Sequence, residues 1–95
     1  MRNIKFLTDK MEIVNIMIKG NKKAYIVWDR DIDKYFNIIY DGNDFVSMTK
    51  KYKLYAWAYK FIEKMGFDYS NNEDDISFQL KHNEIFKNNI LDQYK

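Results

Sequence analysis

The sequence of 95 residues contains no cysteine and no proline, and only three glycines. Without cysteine there is no disulfide framework, no thiolate nucleophile and no sulfur ligand for a metal ion. Small secreted domains usually depend on disulfides, so we expect a cytoplasmic protein, in the host cytoplasm if the source is viral. No apolar stretch of signal-peptide type follows Met1, and no run is long enough to span a membrane.

Residues that would carry catalysis are equally scarce. Glycine occurs only at positions 20, 42 and 66, which leaves no phosphate-cradling loop, and His82 is the single histidine, with no Gly-x-Ser-x-Gly motif to form a triad. Asp29, Asp31 and Asp33 have the spacing that opens a calcium loop, but Lys34 stands where the loop needs glycine. We therefore predict a non-enzymatic protein without cofactor or metal.

The overall composition predicts a folded chain of mildly basic charge. Apolar residues make up 46% and aromatic residues 18%, which is too rich for a disordered chain, and the net charge is +2. This length predicts one α+β domain over residues 1–95. Lysine, asparagine, isoleucine and tyrosine abound while arginine occurs only at positions 2 and 30, which indicates an A/T-rich genome: a low-GC bacterium, a phage or another mobile element.

Three apolar runs in the first half alternate with period two. They cover residues 13–18, 24–28 and 35–40, and Gly20 and Gly42 lie in the turns that follow the first and third runs. This pattern predicts an antiparallel meander of three strands. A helix over residues 8–19, capped by Thr8 and ended by Gly20, is the alternative for the first run; its β-branched residues favour the strand.

Residues 50–65 carry the clearest helical pattern. Six apolar residues follow at i, i+3, i+4, i+7, i+8 and i+11, and we expect this stripe to pack on the sheet: Leu54, Trp57, Ala58, Phe61, Ile62 and Met65. Gly66 suits the position after the last turn. Lys50 and Lys51 are unfavourable in a first turn, which favours an earlier start capped by Asp44 or Ser47.

The last third allows two interpretations. Residues 68–75 are polar and acidic and predict a loop, after which Ile76, Phe78 and Leu80 alternate as in a fourth strand. Asn83 would then cap a short final helix, whereas a single helix over residues 75–94 is the alternative. The predicted fold class is α+β: a three- or four-stranded antiparallel sheet packed against a central amphipathic helix, with a shorter C-terminal helix.

One helix can cover only one face of such a sheet. We expect the helix to cover Val14, Ile16, Ile18, Ala24, Ile26, Trp28, Phe36, Ile38 and Tyr40. The other face then carries apolar residues that either the C-terminal helix or a partner must cover, among them Tyr25, Val27, Tyr35 and Ile39. The acidic residues Glu73, Asp74 and Asp75 would add electrostatic complementarity to such a contact.

These features favour a non-enzymatic, protein-binding inhibitor or regulator. The expected partner is a larger host protein or nucleoprotein complex, and a second copy of the chain is a further candidate. An anti-defence protein, for instance an inhibitor of a CRISPR effector, is one concrete form. This interpretation rests on size, composition and missing motifs.

A nucleic-acid-binding accessory protein is the alternative function. The opposite flank of the central helix carries lysines beside tyrosines: Lys50, Lys53, Lys60, Lys64, Tyr52, Tyr55 and Tyr59. Lysines neutralise phosphates and tyrosines stack on bases, although lysines also serve simply to solvate a helix. The scarcity of arginine counts against reading of guanine bases.

Overall fold

The computed structural model describes residues 4–93, which form a five-stranded antiparallel sheet and two helices. In chain order the elements are β1 (Met11–Lys19), β2 (Lys22–Asp29), β3 (Lys34–Asp41), β4 (Asp44–Met48), α1 (Tyr55–Lys64), β5 (Asp68–Tyr69) and α2 (Glu73–Gln93). The α+β class is confirmed. The sheet has more strands than predicted because β4 and β5 add to its two sides.

The meander of β1, β2 and β3 is confirmed, and the helical alternative for residues 8–19 is wrong. The strand order is β4-β3-β2-β1-β5. Gly20 and Gly42 have φ of 60° and 59° and lie in two-residue turns, between β1 and β2 and between β3 and β4. Residues other than glycine rarely adopt such values of φ. Glycine at these positions therefore allows the tight turns that set the register of the strands.

Each face of the sheet carries a buried cluster. The buried cluster under α1 consists of Met17, Ala24, Ile26, Ile39, Ala58, Ile62 and Phe67. The buried cluster on the other face consists of Met11, Ile13, Ile16, Tyr25, Val27, Phe36, Ile38 and Tyr40. Ile4 and Leu7 of the N-terminal segment and Phe78 of α2 pack against this second cluster, and α2 lies along strand β1.

The predicted division of residues between the two faces is wrong in part. Ala24 pairs with Ile39, and Ile26 pairs with Asn37, so the odd-numbered residues of β3 share the α1 side. The even-numbered residues of β3 lie on the α2 side. In β1, the register also shifts between Ile13 and Asn15, which changes the face that each later residue occupies.

Helix α1 begins later than predicted and ends as predicted. Asp44 and Ser47 belong to strand β4, so neither caps the helix. At its end, Gly66 has φ of 91°, its N–H donates to the Glu63 carbonyl (2.9 Å), and the N–H of Phe67 donates to the Ile62 carbonyl (3.3 Å). These two bonds define a Schellman motif, and they confirm the predicted role of Gly66.

The C-terminal region is one helix of 21 residues, longer than the 10 residues of α1. The predicted fourth strand at residues 76–80 and the predicted short final helix are therefore wrong, and the single-helix alternative is correct. Asn72 accepts the N–H of Asp74 through its side chain (2.8 Å) and so caps the helix. Acidic residues occupy the first turn, where their negative charges interact favourably with the positive end of the helix dipole and stabilise the helix.

Candidate functional site

Helix α1 contacts the sheet through Tyr55, Ala58, Tyr59 and Ile62, which follow at i, i+3, i+4 and i+7. Ala58 and Ile62 are fully buried, and the two tyrosines are partly buried beside them. Ala24 on the sheet is also fully buried in the same cluster. With small side chains in that cluster, the helix can approach the sheet closely.

The two tyrosines of α1 combine ring packing with hydroxyl hydrogen bonds. The Tyr55 hydroxyl accepts a hydrogen bond from Asn15 Nδ2 (3.1 Å), and the Tyr59 hydroxyl donates to Glu63 Oε2 (3.0 Å). The Tyr59 ring also stacks on Tyr69, with centroids 5.9 Å apart. Hydrogen bonding with Tyr69 and with Glu63 raises the pKa of the Tyr59 hydroxyl. Tyrosine suits this position because its ring can pack while its hydroxyl reaches a partner at the rim.

A buried amide of the sheet also contacts α1. Asn37 is fully buried in β3, and its Nδ2 donates to the Ala58 carbonyl (3.1 Å) and to Thr49 Oγ1 (3.3 Å). These bonds join the helix backbone to the sheet and help fix the rotation of α1 about its own axis. The sequence carries one signal of this role, a single polar residue between the apolar residues of a central strand.

The side of α1 that faces away from the sheet is apolar. Leu54 and Trp57 are each 51% exposed, Phe61 is 42% exposed, and Met65 is 39% exposed. The prediction that these four side chains pack on the sheet is wrong; of the predicted stripe, only Ala58 and Ile62 are buried. The helix is rotated so that its tyrosines face inward. We call Leu54, Trp57, Phe61 and Met65 the outer stripe.

A row of lysines runs beside the outer stripe. Lys60 and Lys64 follow at i and i+4 of α1, on the Trp57 side of the stripe, and Lys53 precedes the helix; all three are exposed. Within residues 4–93, the salt bridges involve Lys10, Lys23 and Arg30 but none of these three lysines. The row and the stripe together present an apolar surface with a positive border.

The four sheet residues that were predicted to bind a partner protein lie in the interior of the structure. Tyr25 and Val27 are buried on the face opposite α1, and Ile39 is buried under α1 with Tyr35 partly buried beside it. Because the four residues lie on two different faces, they do not form one surface. The face that was expected to stay open is packed by Ile4, Leu7 and Phe78.

The acidic residues of the predicted site are separated by burial. Glu73 and Asp74 are exposed in the first turn of α2, whereas Asp75 is buried and accepts hydrogen bonds from Lys23 Nζ and Ser70 Oγ. Asp75 therefore joins α2 to the second strand. Only the two exposed carboxylates remain accessible to a partner.

The lysines and tyrosines predicted to bind nucleic acid do not form one surface, and Lys50, Tyr52 and Lys53 precede α1. Lys50, Lys53, Lys60 and Lys64 are exposed, and Lys50 Nζ lies 5.3 Å from the centre of the Tyr52 ring. The predicted tyrosines instead pack against the cluster under α1: Tyr52, Tyr55 and Tyr59. The aromatic residues that are exposed near the lysine row are Trp57 and Phe61, which pattern reasoning assigned to the core.

The aspartates and the histidine noted in the sequence make local hydrogen bonds. Asp29 Oδ1 accepts the N–H of Asp31, and Asp33 Oδ1 accepts the Trp28 indole N–H (2.9 Å). His82 Nε2 lies 2.7 Å from the Met11 carbonyl oxygen. In the part of the chain that the structure describes, no group of three acidic or histidine side chains is placed to hold a metal ion.

A cleft of about 430 Å³ opens beside the β1–β2 and β3–β4 turns, lined by Ile4, Asn21, Lys23, Tyr25, Tyr40, Gly42 and Asn43. Two of its polar groups are already bonded within the protein: Lys23 to Asp75, and the Tyr40 hydroxyl to the Lys5 carbonyl (2.9 Å). The cleft thus gives less reason to expect a ligand than the outer stripe does.

Comparison with protein-family models, with curated proteins and with solved structures finds no match to this chain. Neither helix of the described residues is both long and apolar enough to cross a membrane. The physical properties of the surface are therefore the basis for a functional proposal.

Proposed function

We propose that this chain is a non-enzymatic binding protein that inhibits or regulates a larger host complex. The outer stripe of α1 would insert into an apolar groove of a partner protein whose rim is acidic. The observation that carries this proposal is the outward orientation of Trp57 and Phe61 beside three exposed lysines. This is the arrangement of helix-in-groove recognition, in which i, i+3 or i+4, and i+7 residues anchor the contact.

The apolar side chains supply the expected affinity. Tryptophan is strongly enriched among residues that dominate binding energy, and truncating such a residue costs about 2 kcal/mol or more. Trp57 stands near the middle of the stripe, with Leu54 on one side and Phe61 on the other. An exposed helix face of this kind is typical of an interaction surface rather than of a solvated one.

The lysine row specifies the charge of the partner. Lys53, Lys60 and Lys64 repel a basic rim and attract an acidic one, which favours a carboxylate-bordered groove. Two copies of α1 facing each other would bring two lysine rows together, so the stripe is poorly suited to self-association. The expected occupant is therefore a foreign protein surface.

The inhibitor or regulator role rests on composition. The amino-acid usage, rich in residues that A/T-rich codons encode, supports an origin in a phage, a mobile element or a low-GC bacterium, and the chain lacks familiar catalytic motifs. An anti-defence protein remains one concrete form of this proposal. In that case the partner is a component of a host defence complex.

Affinity purification from host cells tests the proposal when it is done with matched variants. We expect the wild-type chain to retain one stoichiometric companion, and W57A/F61A to lose it because the two anchors are removed. I76A/L80A is the control, since Ile76 and Leu80 are equally exposed on α2. The companion should stay bound to that control.

The purified companion then allows a direct affinity measurement. We expect Trp57→Ala to raise the dissociation constant by about 30-fold or more, which corresponds to about 2 kcal/mol. Equal binding of W57A/F61A and wild type, or recovery of the chain with no companion, contradicts the proposal.

The exposed Trp57 and Phe61 beside the lysine row also support the second candidate, a nucleic-acid-binding accessory protein. Aromatic side chains beside lysines are the combination by which proteins hold single strands. A salt titration with a labelled single-stranded DNA oligonucleotide tests it. Binding that weakens steeply with salt and is reduced by K60Q/K64Q supports this function, and no binding at low salt excludes it.

A further inference from the structure

Strand β4 is an open edge of the sheet. It is the first strand in the order β4-β3-β2-β1-β5 and pairs with β3 on one side only. All five of its residues are exposed. Unpaired backbone N–H and C=O groups along such an edge can accept a further strand.

The opposite side of the sheet is closed by different means. Strand β5 pairs with β1 at Met17 and Ile18 only. Beyond that point, side chains of α2 bond to the β1 backbone: Asn83 Oδ1 accepts the Ile13 N–H (2.8 Å), and Gln79 Nε2 donates to the Ile13 carbonyl (3.0 Å). The fold therefore covers one edge with polar side chains, and no side chain of residues 4–93 is seen to bond to the β4 edge in this way.

The side chains of β4 are largely apolar. Phe45, Val46 and Met48 are 38%, 50% and 37% exposed, and the strand contains neither lysine nor proline, two residues that commonly prevent edge pairing. Its register against β3 shifts at Val46, so the strand carries a β-bulge there, which bends this part of the edge. The ring of Phe6 lies 4.9 Å from that of Phe45, so the apolar surface continues onto the N-terminal segment.

The charges around β4 are arranged with opposite signs at its two ends. Asp44 is the first residue of the strand and Asp41 precedes it, whereas Lys50 and Lys51 follow its end. An antiparallel copy of the same strand brings the acidic end of one chain to the basic end of the other, whereas a parallel copy opposes like charges. The edge is thus self-complementary, as a two-fold interface requires.

We propose that a second copy of this chain pairs antiparallel along β4, with the two-fold axis close to Val46, the bulged residue of the strand. The two sheets of five strands then join into one continuous sheet. We expect a second copy rather than a foreign strand, because the acidic end and the basic end of β4 complement each other when two copies pair antiparallel. This surface is separate from the outer stripe of α1, so the dimer presents two such stripes.

Mass measurement and cysteine cross-linking test the dimer on the full chain. We expect the wild type to have twice the mass of one chain by light scattering. Since the chain has no cysteine, V46C carries a single thiol, and two copies on the axis lie within disulfide distance. V46C should therefore form a covalent dimer on mild oxidation, whereas S77C, on the exposed side of α2, should not.

A charge variant separates the proposal from chance cross-linking. V46K opposes two lysines at the axis and should raise the dimer dissociation constant about tenfold or more. I85K, a similarly exposed site on α2, should leave it unchanged, and circular dichroism should show both variants folded. A wild type that remains monomeric at the highest concentration reached, or equal cross-linking of V46C and S77C, overturns the proposal. Loss of the companion protein with W57A/F61A would not affect this result.

Discussion

The two helices contact one sheet by different chemistry, α1 on one face and α2 along strand β1. Helix α1 is held by the buried side chains of Ala58 and Ile62, with tyrosine rings at the sides. Helix α2 adds polar contacts to its apolar ones, since Asn83 and Gln79 bond to the backbone of β1. Both helices turn large apolar side chains outward. The difference shows that the hidden side of a helix need not be its most apolar side.

The contact of α2 with β1 imitates a neighbouring strand. The side-chain amide of Asn83 accepts the Ile13 N–H at 2.8 Å and donates to the Ile13 carbonyl at 2.9 Å. An amide group offers the same donor and acceptor as a peptide group, so one asparagine satisfies both backbone groups of that residue. On this side of the sheet, α2 thus serves as both a cover and an edge cap.

The largest effect on stability should come from the inner side of α1. Ile62→Ala removes fully buried methyl groups and should lower the free energy of unfolding by about 2–5 kcal/mol, measured by urea denaturation. Its neighbour Phe61 is larger but exposed, so Phe61→Ala should cost about 1 kcal/mol or less. A greater loss for the phenylalanine variant would show that the helix is rotated the other way.

A smaller effect is expected from the polar contact of α2. Asn83→Ala leaves the Ile13 N–H without its hydrogen-bond acceptor and should lower the free energy of unfolding by about 1–3 kcal/mol. Asn88→Ala, at an exposed position of the same helix, is the matched control and should change it by less than about 0.5 kcal/mol. Equal losses in urea denaturation would mean that the amide contact adds nothing.

The smallest effect on stability should come from the outer side of α1. K60Q/K64Q should change the free energy of unfolding by about 0.5 kcal/mol or less, because both lysines are exposed. The same variant should weaken binding to the acidic-rimmed partner and make that binding less sensitive to salt. K81Q/K87Q on α2 should leave the partner affinity unchanged; an equal decrease would place the contact elsewhere.

The sequence predicted the centre of the sheet well because alternation in β1, β2 and β3 is strong and local. Gly66 likewise marked the end of α1. The sequence could not predict which side of α1 faces the sheet. Ala58 and Ile62 form a continuous helix face with the outer stripe, and they form an equally continuous face with Tyr55 and Tyr59. The observed orientation of the helix depends on Asn15 and Asn37, which contact it from strands that are distant in the sequence.

Helix α2 was predicted only as the alternative to a strand and a short helix, for a related reason. Its inward residues include Asp75, which bonds to Lys23, and Gln79 and Asn83, which bond to the backbone of β1. The spacing of apolar residues indicates a helix only when the buried side of that helix is apolar. The buried side of α2 is partly polar, so its apolar residues gave the weaker pattern of a short strand. In the candidate site, the exposure of the lysines followed from their charge, whereas the exposure of Trp57 required the structure.

The orientation of Trp57 is the central claim, and its fluorescence tests it most directly. The chain has two tryptophans, and Trp28 donates its indole N–H to Asp33. Trp28→Phe leaves Trp57 as the single tryptophan, which is excited selectively at a wavelength that tyrosine does not absorb. The exposed orientation predicts emission typical of a hydrated indole and strong quenching by acrylamide in the folded protein. Blue-shifted emission with little quenching would place Trp57 against the sheet and contradict the proposed docking surface.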